Sequence, residues 1–173
     1  MIKIIISVLF VIVCFLLQGT LFQTLSFGGI VPNLMIILTA FYGFMRGKRS
    51  GLLIGFFSGL CLDIFFSNLL GYYALIYMYI GYMNGKFRKL FYPEDFKLPI
   101  LFILGSDLIY NLLCYITSFL LKGRFQFIYY FIHIIIPEMI YTIVITFILY
   151  PLLKWIEYHL EFRGKEGASN IVS

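Results

Sequence analysis

Glycines recur every four residues in the stretch 46–67, which reads RGKRSGLLIGFFSGLCLDIFFS. Gly51, Gly55 and Gly59 are followed at the same interval by Asp63. Because an α-helix has about 3.6 residues per turn, this spacing places the four positions near one face. A helix with such a face presents a smooth groove that ends in a carboxylate. The stretch therefore predicts a helix that packs very closely against a neighbour.

A later apolar segment repeats the interval with Gly81 and Gly85. In lipid, little hydrophobic force draws helices together, so association depends on close backbone approach, which glycine permits. We assign all five glycines, Gly51, Gly55, Gly59, Gly81 and Gly85, to a helix-packing or partner interface. The sequence leaves two occupants open for the groove: another helix of the same chain, or a partner protein.

The composition indicates a membrane environment. Apolar residues make up 62% of the 173 residues and charged residues 12%, compared with roughly 25% charged residues in soluble domains. The mean hydropathy is +0.98. We predict an all-α integral membrane protein that contacts lipids. Nucleic-acid binding is disfavoured, because the basic residues lie in short turns between apolar runs.

Six apolar segments predict six transmembrane helices, at 4–25, 34–45, 51–66, 72–85, 98–121 and 128–153. The second is shorter than the roughly 20 residues that a full span needs. Pro137 and Pro151 should bend or interrupt the last helix. We divide the chain into one six-helix domain, 1–160, and a polar cytoplasmic tail, 161–173, which we expect to be disordered.

The positions of the basic residues predict the orientation. With the N-terminus in the cytoplasm, eleven of the 13 lysine and arginine residues fall on the cytoplasmic side, and only Lys122 and Arg124 lie outside. Cytoplasmic loops of membrane proteins carry an excess of such residues. The sequence therefore predicts a multi-pass membrane protein with both termini in the cytoplasm.

Three acids lie within the apolar segments: Asp63, Asp107 and Glu138. Asn111 follows Asp107 by one helical turn and shares its face. Ionisable groups inside a membrane are costly and mark proton relays, substrate sites or catalytic groups. They also serve as simple interhelical hydrogen-bonding groups. Both readings stay open, and we define Asp63, Asp107, Asn111 and Glu138 as a candidate polar pocket.

The sequence offers no recognisable catalytic or cofactor-binding motif. Cys14, Cys61 and Cys114 stand singly in apolar runs, and His133 has no partner at metal-ligand spacing. Nucleophilic triads and phosphate-binding glycine loops are also missing from the sequence. We therefore predict a protein that is not an enzyme and that holds no metal or cofactor.

Several short motifs resemble those of one family. They are Pro32-Asn33, Arg46-Gly47, the run Gly55-Phe56-x-x-Gly59-Leu60-x-x-Asp63, and Gly71-Tyr72-x-Ala74-Leu75. This pattern is similar to that of the rod shape-determining protein MreD family. The motifs cover residues 32–85, whereas the second half of the chain matches only in its pattern of apolar segments. The resemblance therefore assigns no role to Asp107 or Glu138.

The resemblance implies a non-enzymatic membrane scaffold or regulatory subunit of the bacterial elongation complex, located in the bacterial cytoplasmic (inner) membrane as a multi-pass protein. Proteins of this family work with MreC, and through it with MreB, RodA and a class B penicillin-binding transpeptidase, in lateral peptidoglycan synthesis that determines cell shape. The implied fold is similar to that of the substrate-binding subunit of energy-coupling-factor transporters.

The alternative is that the chain is itself such a vitamin-transporter subunit. Those subunits typically contact their energising partner through an Ala-x-x-x-Ala pattern in the first helix. Here the first helix contains Ser7, Cys14 and Gly19 at no four-residue spacing. This departure favours the scaffold over the transporter.

Overall fold

The computed structural model describes residues 2–26, 29–67, 70–90, 97–118 and 127–169. Its regular elements are helices, which we name in chain order: α1 (Ile2–Gly19), α2 (Leu34–Arg46), α3 (Lys48–Phe66), α4 (Tyr72–Lys86), α5 (Lys97–Ser118) and α6, which combines Phe127–Tyr130, Phe131–Ile135 and Ile136–Ser169. Short helical turns at Leu21–Thr24 and Phe87–Leu90 follow α1 and α4.

Four helical segments are long and apolar enough to cross a bilayer: Ile5–Thr24, Lys48–Phe66, Lys97–Thr117 and Phe127–His159. The prediction of an all-α membrane protein is confirmed. α2 and α4 fall below the usual length, with 13 and 15 residues. The count of six spans therefore stays a prediction.

α2 is the central helix of the bundle. It contacts each of the other five helices, and every residue from Leu34 to Phe44 is buried. A helix that is apolar all round is stable only when other elements surround it. Neighbouring helices surround most of its length. A helix of 13 residues, too short to span a bilayer by itself, can therefore lie inside the bundle.

A single residue separates α2 from α3. We expected a basic turn over residues 46–50 with the third helix beginning at Gly51, and this expectation is wrong: α3 begins at Lys48. Gly47 has φ of +91°, a conformation that residues with a side chain rarely adopt. The glycine makes the sharp reversal by itself, and Lys48 and Arg49 therefore form the first turn of α3.

The two prolines of α6 do not interrupt it. A π-helical turn, Phe131–Ile135, directly precedes Pro137, and such turns accommodate the backbone hydrogen bond that a proline cannot make. The helix also continues through Pro151. It runs to Ser169, inside the segment 161–173 that we predict as a polar tail. The domain assignment stays a prediction.

Candidate functional site

The glycine face of α3 lies against α4 of the same chain. A Cβ on Gly55 would collide with the backbone of Tyr77, and one on Gly59 would lie 2.5 Å from the Cα of Ala74. A Cβ on Gly51 would collide with the carbonyl group of Gly81. Real Cβ atoms do not approach backbone atoms this closely, so the two helices touch backbone to backbone, which only glycine allows here.

The other two glycines of the predicted interface belong to the same contact. A Cβ on Gly81 would collide with the carbonyl of Gly51, and one on Gly85 would lie 2.5 Å from the Cα of Lys48. The pairs run in opposite chain directions, so α3 and α4 are antiparallel. Gly43 of α2 adds a third backbone, since its Cβ would lie 2.9 Å from the Gly81 carbonyl oxygen. The groove is thus occupied within the chain.

Asp63, at the end of the glycine face, accepts three hydrogen bonds from the start of α4. Its Oδ2 accepts from the backbone N–H groups of Gly71 at 3.0 Å and Ala74 at 2.9 Å, and its Oδ1 accepts from that of Tyr73 at 2.9 Å. The first N–H groups of a helix have no partner within the helix. Asp63 therefore caps α4 from a neighbouring helix, and its negative charge faces the positive end of the helix dipole.

Asn33 performs the corresponding role for α2. Its Oδ1 accepts from the Ile36 N–H at 3.3 Å and from the Tyr77 hydroxyl at 2.8 Å. Its backbone N–H donates to Thr142 Oγ1 at 3.1 Å. The residue is buried, and these bonds connect the start of α2 to α4 and α6.

The four residues of the candidate polar pocket do not form one site in the described contacts. Both oxygens of Asp63 are taken up by α4, whereas Asp107, Asn111 and Glu138 are neighbours across α5 and α6. Asp107 is completely buried beside Thr142 and Asn33, and neither of its carboxyl oxygens makes a hydrogen bond of standard geometry with the residues that the structure describes. Glu138 lines a cavity of about 470 Å³ that His133 also borders. Asp63 therefore has different neighbours from the group formed by Asp107, Asn111 and Glu138, and the polar pocket stays a prediction.

Arg46, at the end of α2, connects three helices at the opposite end of the bundle. Its Nε and Nη2 donate to the two carboxylate oxygens of Glu157 at 2.7 and 2.8 Å. Its Nη1 donates to Ser7 Oγ at 2.5 Å, and the guanidinium carbon lies 4.7 Å from the centroid of the Tyr42 ring. Sequence reasoning missed Ser7 and Glu157, because nothing local marks contacts with residues 39 and 111 positions away along the chain.

We expect the Arg46–Glu157 ion pair to be a strongly coupled unit. The side chains are only 15% and 5% exposed, and removing one partner leaves the other charge buried, at a cost of about 3–5 kcal/mol. Arg46→Gln and Glu157→Gln should each lower the free energy of unfolding, and the double variant should lose clearly less than the sum. The measurement is a double-mutant cycle by SDS unfolding in mixed micelles.

The exposed Arg49 provides the control for this cycle. Arg49→Gln has the same chemical change at the same end of the bundle and should leave the free energy of unfolding within about 0.5 kcal/mol of the original value. Strict additivity of the two single substitutions at Arg46 and Glu157 would show that the pair is not coupled.

The described residues contain no group of three histidine, cysteine, aspartate or glutamate side chains that is placed to hold a metal ion. Cys14 is buried, and Cys61 and Cys114 are half-buried, each as a free thiol. Among the acids that the structure describes, Asp63 caps α4 and Glu157 pairs with Arg46.

The sequence model of the rod shape-determining protein MreD matches residues 1–158. The chain belongs to the MreD family. This confirms the resemblance seen in the motifs of residues 32–85 and extends it to the second half of the chain. A search of curated proteins and a search of solved structures each gave no significant match.

Six of the family motif residues lie at or near helix ends in this structure. Pro32 and Asn33 precede α2, Arg46 and Gly47 end it, and Asp63 and Gly71 flank the start of α4. Gly71 has φ of +99° and occupies the N-cap position itself. The motif thus specifies how neighbouring helices begin, end and pack.

Proposed function

We propose that the chain is a non-enzymatic membrane scaffold, or regulatory subunit, of the rod-shape complex (elongasome). In this role it supports lateral peptidoglycan synthesis and cell shape. The observation that carries the proposal is the family membership, which makes the chain a rod shape-determining membrane protein. The family is a shape-determining one that is not known for enzymatic activity.

The use of the motif residues supports a scaffold. Asp63 and Asn33 cap helices, Arg46 holds an ion pair, and the glycines bring α3 against α4. A catalytic or transport site leaves polar atoms facing a substrate, but these atoms contact other parts of the same chain. The parts of the sequence that identify the family therefore maintain a rigid helix arrangement.

We infer six spans with both termini in the cytoplasm of a bacterial cell. Contacts of Arg46 with Ser7 of α1, Glu157 of α6 and Arg88 bring early and late segments of the chain to one end of the bundle. Lys48 lies there too, beside Gly85. Because most basic residues gather at this end, the positive-inside rule places it in the cytoplasm.

MreC is the direct partner that we propose, with MreB, RodA and a class B penicillin-binding transpeptidase reached through it. α3 and α4 fill the glycine groove between them, so a partner helix has to dock elsewhere. The lipid-facing sides of α1 and α6 are apolar surfaces for such contacts, with Leu9 and Phe147 among the most exposed residues. The vitamin-transporter alternative has no support in these findings.

Affinity purification of the tagged chain from native membranes tests this proposal. We expect MreC to be recovered with it at a comparable molar amount, and depletion of the chain to convert rods into round cells. Recovery of an ATPase module without MreC would contradict the scaffold and favour transport. A tagged membrane protein of equal abundance from outside the complex serves as the control for non-specific recovery.

A further inference from the structure

A deep apolar groove separates α4 from α5 on the side facing lipid. Its volume is about 670 Å³, within the roughly 300–1,000 Å³ typical of ligand sites. Tyr79 of α4 and the α5 residues Leu101 and Ile109 border it and are exposed, so the groove opens sideways into the membrane. A Cβ on Gly105 would meet no atom within 4 Å, and the floor is therefore wide enough for a chain of methylene groups.

One buried polar atom at the floor of this groove lacks a partner. Asn84 is 3% exposed, and its Nδ2 donates to the Ile80 carbonyl at 2.9 Å and to Ser106 Oγ at 2.7 Å. Its Oδ1 accepts no hydrogen bond from any part of the chain that the structure describes. An unsatisfied buried acceptor is unfavourable, and a ligand with a hydroxyl group would satisfy it.

Lysines stand on both walls at one end of the groove. Lys86 follows Met83 of α4 by three residues, and Lys97 precedes Leu101 of α5 by four, so each lies one helical turn from a lining residue. Both lysines are exposed. The segment 86–97 has four basic residues and two acidic ones, Glu94 and Asp95. This end of the groove therefore attracts anions.

We propose that the α4–α5 groove binds one anionic phospholipid from the leaflet at the basic end of the bundle. An acyl chain lies along the apolar walls past Gly105. The headgroup phosphate lies between Lys86 and Lys97, whose flexible side chains reach the interface while their stems stay in the apolar region. A hydroxyl of a glycerol headgroup, such as that of phosphatidylglycerol, donates to Asn84 Oδ1. This lipid site depends on the chain lying in a membrane and is independent of its proposed function as a scaffold.

Native mass spectrometry of the purified full chain tests this with dioleoyl phosphatidylglycerol and dioleoyl phosphatidylcholine as probes. We expect one retained phosphatidylglycerol and a clear preference over phosphatidylcholine. Gly105→Phe should fill the floor and lower retention of either lipid about tenfold or more. Lys86→Gln with Lys97→Gln should lower the preference for phosphatidylglycerol about 30-fold, since each lysine near an anionic headgroup contributes about fivefold and the two factors multiply.

Matched controls separate these effects from loss of fold. Ile116→Phe places the same ring on a lipid-facing position of α5 outside the groove, and Arg49→Gln removes an exposed charge of α3 at the same end. Both should retain lipid as the original chain does. The lysine variants alter exposed side chains only and leave the helix contacts intact, so they remain informative should Gly105→Phe fail to fold.

Three outcomes would overturn the proposal: equal retention of the two lipids by the unmodified chain, unchanged retention by folded Gly105→Phe, or unchanged preference in the double lysine variant. A photo-crosslinker at Leu101 in native membranes adds an independent readout, because it identifies what touches the groove. Crosslinks to phospholipid support the proposal, and crosslinks to a protein helix in place of lipid contradict it.

Discussion

Gly55→Ala should remove most of the folded protein from the membrane, although it adds a single methyl group. The added Cβ would collide with the backbone of Tyr77, and backbone atoms held in two helices cannot move aside as a flexible side chain does. Overpacking a close contact costs typically about 1–3 kcal/mol, and a backbone-to-backbone contact belongs at the upper end of this range. SDS unfolding of the purified protein measures the loss, and the yield of detergent-extracted monomer follows it.

Gly105→Ala is the matched control for this substitution. Gly105 also lies inside a helix, but a Cβ there meets nothing within 4 Å. Because alanine is the better helix former by about 1 kcal/mol, this variant should be as stable as the original chain or slightly more so. Equal stability of Gly55→Ala and Gly105→Ala would show that α3 and α4 do not approach as closely as the structure has them.

Asp63→Ala should destabilise the chain by several kcal/mol and should loosen the start of α4 first. The substitution leaves the N–H groups of Gly71, Tyr73 and Ala74 without their acceptor. A buried group left without a partner costs about 1–3 kcal/mol, which applies in full to Ala74 and in part to the half-buried Gly71 and Tyr73. Asp63→Asn keeps one acceptor oxygen and should lose roughly half as much. Hydrogen exchange of the segment 71–78 measures the local effect, and SDS unfolding the global one.

A second buried aspartate, Asp107, is the control that distinguishes the effect of helix capping from the effect of changing any buried acid. Asp107 is as buried as Asp63, but its carboxyl oxygens accept no hydrogen bond of standard geometry from the described residues, and its polar neighbours Thr142 and Asn33 lie outside α4. Asp107→Asn should therefore leave hydrogen exchange at the start of α4 unchanged. If Asp63→Asn and Asp107→Asn changed exchange in this segment equally, Asp63 would not be the cap of α4.

The helices and the close glycine contact were predictable because their signals are local. Hydropathy identifies the apolar segments, and the four-residue spacing of Gly51, Gly55 and Gly59 identifies a face. The helix that packs against this glycine face was not predictable, because the same spacing occurs whether the neighbour belongs to the chain or to a partner protein. Gly81 and Gly85 repeat the interval on α4, and the structure places them against Gly51 and Lys48 of α3.

The role of Asp63 could not be read from its own surroundings. Within α3 it is a carboxylate among apolar residues, and its partners begin at Gly71, on the next helix. Helix capping is normally sought within a few residues of the cap, so a cap supplied from a neighbouring helix leaves no local motif. The same limit applies to Arg46. The basic residues around it predicted only the orientation of the protein in the membrane, because its acceptor Glu157 lies at the far end of the chain.

We expect the motif residues of this MreD-family chain to build a scaffold and to perform no chemistry of their own. The most direct measurement is the amount of MreC recovered per folded chain when Asp63→Asn and the original chain are purified in parallel from native membranes. The variant should yield less folded protein but the same amount of MreC per folded chain. Cells should lose their rod shape only to the extent that the amount of folded protein falls. A variant that folds fully, recovers MreC normally and still gives round cells would contradict the account.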